Sequence, residues 1–229
     1  MKARDLVAIC TMFASPSGAA IAQSAPRTVQ LSPSLPNDPV KIVKVMLDGV
    51  EIKPTVQAWP ASKPGVSFQA GDDWLDHLTV VLKNISSKPI IFGVIQSSFP
   101  EIGEGTRAHP TVGDHSEIGN LPEHGMYSGS TGKRFEDEPQ RDPLLVQPGQ
   151  EFTFPVIARE HSNSVRETIE SRRSISSITT IVIWIGSFYF EDGTKWAASL
   201  YYRPDFRAPG KYTVISREEF DAYRREAQQ

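Results

Sequence analysis

A single cysteine, Cys10, stands in a chain of 229 residues. One thiol excludes an intrachain disulfide and any multi-cysteine zinc site. Long apolar runs are also missing: no segment reaches the roughly 18 apolar residues that a membrane helix needs. Neither sign of charge dominates, with 24 Lys+Arg against 27 Asp+Glu and a formal net charge of -3. That balance argues against nucleic acid as a main partner, because phosphate binding draws on concentrated positive charge. What is present, 39% hydrophobic and 22% charged residues, is ordinary for a soluble globular chain of one large domain and excludes wholesale disorder.

Lys2 and Arg4 precede an apolar run from Leu6 to Ala14, and Ala20-Ile21-Ala22 has the small-x-small form of a signal-peptidase site. This order predicts a secretory signal over residues 1–22. Cleavage after Ala22 would remove two basic residues, one acidic residue and Cys10. Residues 23–39, rich in Pro, Ser, Asn and Gln, read as a flexible tether ahead of a domain spanning 40–229.

From Val40 the pattern is β. Val43, Val45 and Leu47 alternate with Lys44 and Met46, and Asp48-Gly49 predicts a tight hairpin into Val50-Glu51-Ile52. Leu78 to Lys83 alternates, and Ile90 to Ile95 is a continuous apolar run suited to a buried strand. After the Pro148-Gly149 turn, Phe152, Phe154 and Val156 share a face, and Pro155 assigns that strand to an edge or bulge. In Thr179 to Phe190, Ile181, Ile183 and Ile185 are expected on one face and Val182, Trp184 and Phe188 on the other. Asp192-Gly193 turns this strand into Thr194 to Tyr202, with Trp196, Ala198, Leu200 and Tyr202 on one side, and Tyr212 to Ile215 closes the series.

Two capping boxes, Ser164-x-x-Glu167 and Ser216-x-x-Glu219, predict short helices running to about Arg173 and over 216–226. Short strands without βαβ alternation predict a mainly β fold, a single Ig-like antiparallel sandwich with a C-terminal helix.

Chemistry-bearing residues concentrate in 98–143, a loop excursion with little periodicity. Such long loops are uncommon inside a compact domain and are usually functional or disordered. His109, His115 and His124 lie there among Asp114, Glu117 and Glu123, a donor set suited to a transition metal such as zinc, copper or nickel, although no HExxH is present. The alternative that competes with a solvated loop is therefore a metal-binding protein or metal-dependent hydrolase. Gly129 to Lys133 ends like a phosphate loop but lacks its first glycine and its Ser/Thr. Trp59 and Trp74, in Pro/Gly- and Asp-flanked segments, are candidates for stacking on carbohydrate. His77 reads as an exposed strand residue, and Asn84-Ile85-Ser86 is formally a glycosylation acceptor.

Several blocks recur in order: Gly71-Asp72-Asp73-Trp74-Leu75, Leu78 to Ile90, Val146-Gln147-Pro148-Gly149-Gln150, Asp192-Gly193-Thr194-Lys195-Trp196 and Tyr202-Arg203-Pro204-Asp205. With them the chain resembles a group of uncharacterised exported bacterial proteins, from Val40 to about Ile215. The resemblance implies a secreted β-sandwich, periplasmic or extracellular, and implies no catalytic residue. The sequence therefore points to an exported, non-catalytic binding or accessory protein without a cofactor, whose partner lies in the envelope or outside the cell.

Overall fold

The computed structural model describes residues 24–33, 35, 37–53, 65–102, 113–122, 141–205, 207–208 and 211–223. Its strands form two sheets. The smaller, of four strands, runs in the order β3 (Val50–Glu51), β2 (Val40–Leu47), β5 (Leu78–Asn84) and β8 (Glu151–Pro155), all antiparallel. As Pro155 requires, β8 lies at an edge, where its missing N–H breaks no ladder.

The larger sheet of eight strands is built on β9 (Thr180–Phe190). Along one side of β9 runs β6 (Ile90–Ser98), followed by β7 (Gly113–Gly119) as the edge. The other side is shared. β1 (Ala25–Leu31) lies parallel to the first half of β9 and carries β4 (Gly65–Ala70) outside it. The second half pairs with β10 (Lys195–Ala197), then β11 (Leu200–Pro204) and β12 (Tyr212–Ile215). Both sheets face one core, where Val80, Leu82 and Phe154 meet Ile181, Ile183, Phe188 and Phe190. Gly93 leaves room for this packing: a Cβ there would stand 2.5 Å from the Phe188 ring.

Three expectations fail at irregular backbone. In β2 and β9 one residue each, Val43 and Gly186, falls out of register with the neighbouring strand. A single extra residue swaps every later side chain to the opposite face. Ile42 therefore joins Val45 in the core instead of Val43, and Phe188 packs inward with Ile181 rather than outward with Val182. The expected strand Thr194 to Tyr202 is instead a hairpin, because Ala198 and Ser199 take φ of 48° and 65°. Two successive positive φ values make the tight turn that fits strand twist, here without the usual glycine or asparagine.

The tether expected over 23–39 holds β1 instead, so the folded unit starts before Val40. Arg27 occupies a core-facing position beside Val29, and no apolar alternation announces the strand. The excursion expected over 98–143 likewise holds β7, which pairs with β6 from Gly113 to Gly119. Its polar residues on both faces conceal it from periodicity.

Among the described residues three α-helices complete the fold: α1 (Trp74–His77), α2 (Arg159–Glu170) and α3 (Arg217–Ala222). The capping box at Ser216 is present, with Glu219 N–H donating to Ser216 Oγ at 3.1 Å and Ser216 N–H donating to Glu219 Oε2 at 2.8 Å. That at Ser164 is not. Here α2 starts from Ala158, straight off β8, and buries Val165 and Ile169 one turn apart. No helix among the described residues is long and apolar enough to cross a membrane.

Candidate functional site

Of the two tryptophans expected to bind sugar, Trp74 is 1% exposed and packs edge-on against Phe68, centroids 5.7 Å apart. A buried indole offers no stacking surface, so Trp74 is a core residue. Trp59 lies outside the described residues, as do His109 and His124. His115 is described: on β7 its Nε2 is 3.6 Å from Glu117 Oε1, while the other Glu117 oxygen pairs with Arg141. Among the described residues, no three His, Cys, Asp or Glu side chains converge to hold a metal ion. His77 is not a strand residue but ends α1, its Nδ1 2.8 Å from Asp48 and its Nε2 3.5 Å from Asp73. Nor is Asn84 an available glycosylation acceptor. It is fully buried, and its amide donates to the carbonyls of Lys88 at 2.8 Å and Val146 at 2.9 Å.

A cavity of about 100 Å³ opens beside β2, lined mostly by aliphatic side chains such as Ile42, Val45 and Val66, with Lys44 and Glu51 also on its wall. Ligand pockets run to roughly 300–1,000 Å³, so this mostly aliphatic space is a packing gap.

The buried cations are more informative. Arg27, Lys88 and Lys195 are each less than one-tenth exposed. Arg27 pairs with Asp72 at 2.7 Å and also donates to the backbone carbonyls of Ser176 and Ile178. Lys88 pairs with Asp192 and donates to the Tyr223 carbonyl at 3.0 Å. Each of these two fastens one element to the sandwich. Lys195 has no carboxylate within ion-pair distance among the described residues; its ammonium sits 4.2 Å from the ring centre of Tyr212, 5.2 Å from Tyr202 and 5.8 Å from Tyr189.

The β-ladder produces this cage directly. Lys195 is directly opposite Tyr189 on β9 and Tyr202 on β11, while Tyr202 is opposite Val214 on β12. Directly opposite residues share a face, so a band forms on the side of the large sheet away from the core. Its β6 end is covered: Phe92, Val94, Leu121 and Tyr189 are all buried in a second small core there, with the Phe92 ring edge-on to Tyr189 at 5.8 Å. Near its other end Leu200 and Val214 are exposed, 46% and 54% respectively. Burial pulls the Lys195 ammonium below the ordinary lysine range, whereas the ring faces favour its charged form.

No protein-family model, curated protein or solved structure matches the chain.

The band has a measurable signature at high pH. Burial pushes the hydroxyls of Tyr212 and of Tyr201, which lies on the core side of β11, up to about 12. Both stay protonated in the folded chain where an unfolded tyrosine, near pKa 10, has already ionised. The unfolded state then binds fewer protons, so the contribution to stability is complete below pH 10 and is lost between about pH 10 and 12. An ultraviolet titration should show Tyr201 and Tyr212 ionising late, while the urea midpoint falls over the same interval. Titration of all six tyrosines together near pH 10 would contradict this assignment.

Proposed function

We propose that the chain is an exported, non-catalytic binding or accessory module, an Ig-like β-sandwich that holds its ligand against the outer face of the large sheet. Lys195 carries this reading. The three ring faces are its only partners among the described residues, and holding an ammonium largely out of water without a carboxylate leaves part of its desolvation cost unanswered. A lysine kept there at that cost is explained by an anion that arrives with the ligand. The two-layer arrangement and the hairpin-linked strands support the Ig-like assignment, and the resemblance of the sequence blocks supports export.

The test is a nuclear magnetic resonance titration of the isotopically labelled mature chain with envelope glycans, peptides and small carboxylic acids. Backbone shifts gathered on β6 and β9 through β12 are expected. Shifts confined to the four-stranded sheet, or no shifts with any ligand, would overturn the reading. Export itself predicts that the chain recovered outside the cytoplasm starts at Gln23.

A further inference from the structure

We infer that Lys195, Tyr202 and Tyr212 form a subsite for an acidic sugar, a saccharide ring bearing a carboxylate, within a soluble glycan. The inference rests on the outer face of the large sheet being the binding surface. Lys195 supplies the charge: its ammonium is surrounded by three aromatic rings and has no counter-ion among the described residues. The adjoining segment repeats the sign, since Arg203, Arg207 and Lys211 accompany only one acid, Asp205, between Leu200 and Ile215, and all four are exposed.

The chemistry of the cage selects among anions. Phosphate is usually held by a fork of arginine donors or by a row of backbone N–H groups at a helix start. The cage instead presents one ammonium among ring faces on flat strands, a match for a single negative charge. Tyr202 and Tyr212 are half-buried, and Val214 and Leu200 stand exposed beside them. Such a strip suits the C–H face of a sugar ring, with the Tyr202 hydroxyl able to answer a sugar hydroxyl. A membrane surface or a nucleic acid would require a far larger excess of positive charge than a chain of net charge -3 provides.

The experiment is calorimetric titration of the full mature chain with oligogalacturonate, with the same oligomer as its methyl ester, and with inorganic phosphate. Wild type is compared with Lys195→Met and Lys195→Arg. The free acid is expected to bind, the ester at least about tenfold more weakly, and Lys195→Met to lose at least about tenfold in affinity while Lys195→Arg keeps most of it. Lys195→Met keeps an apolar chain of similar length against the rings, and its thermal midpoint, read beside that of Lys195→Arg, separates lost binding from lost folding. Equal binding of acid and ester, unchanged affinity in Lys195→Met, displacement by equimolar phosphate, or no binding of the acid at millimolar concentration would each overturn the subsite. If the acid does not bind but another ligand shifts β9 through β12, the binding face stands and the sugar assignment falls. If no ligand shifts those strands, both fall.

Discussion

Replacing Lys88 with alanine should destabilise the fold by about 3–5 kcal/mol, the range for removing one partner of a buried ion pair. The side chains of Lys88 and Asp192 are 5% and 16% exposed, so the deserted carboxylate stays largely out of water. Asp192 would keep Thr194, whose N–H and hydroxyl donate to its Oδ1 at 3.0 and 2.6 Å, but lose its only cationic partner among the described residues. The loss also reaches α3. The Lys88 ammonium lies 4.3 Å from the ring centre of Phe220 and 5.1 Å from that of Tyr223. Phe220 in turn packs between Phe190 and Tyr201, with centroids 4.8 and 4.3 Å away. Urea unfolding of the variant should show the lowered midpoint, and limited proteolysis should cut first near α3. A change under about 1 kcal/mol, the worth of a surface pair, would mean that the pair is solvated. The double variant Lys88→Met, Asp192→Asn should recover part of the loss, since no bare charge then remains buried.

Arg27→Ala should cost about 2–5 kcal/mol, comparable with truncating a large buried side chain. Here the carboxylate partner, Asp72, is 52% exposed and can return to water, so little of the cost arises from a stranded charge. Most arises from the cavity and from the Ile178 carbonyl left without its guanidinium donor. The guanidinium also lies 5.9 Å from the ring centre of Trp74, so one side chain ties β1, α1 and the turn before β9 together. Hydrogen exchange is the decisive readout. Amides of β1 and β4 should lose protection in the variant, while those of β5 and β8 in the other sheet keep theirs. Equal protection in β1 would mean that its ladder alone holds it.

Legibility of the site followed the same division as legibility of the fold. Lys195 passed unnoticed in the sequence because a lysine beside a Asp192-Gly193-Thr194 turn reads as an ordinary exposed strand residue. Its environment comes from Tyr189 on one neighbouring strand and from Tyr202 and Tyr212 on two others. One signal was available: three tyrosines spread over three successive hairpins, Tyr189 and Tyr202 directly opposite the cation and Tyr212 one strand further out. Reading it required the turn at Ala198-Ser199, where a strand had been expected to continue. Trp74 shows the reverse error. Acidic and glycine neighbours suggested exposure, but α1 turns the indole under Phe68.

Local chemistry by itself determined the strands with regular alternation and their sharp ends. The Asp48-Gly49 hairpin, β5, the edge position of β8 and the Ser216 cap all follow from residues within one or two turns of each other, where backbone preference and side-chain period act over short range. Tertiary structure alone decided the faces beyond each bulge, the inclusion of β1 and β7, and the cage around Lys195. A bulge exists only relative to a partner strand, a buried Arg27 is tolerable only where Asp72 and two carbonyls await it, and a cation becomes conspicuous only when its surroundings withhold a counter-ion. Each of these depends on groups far apart in the chain, whose proximity the residue order does not carry.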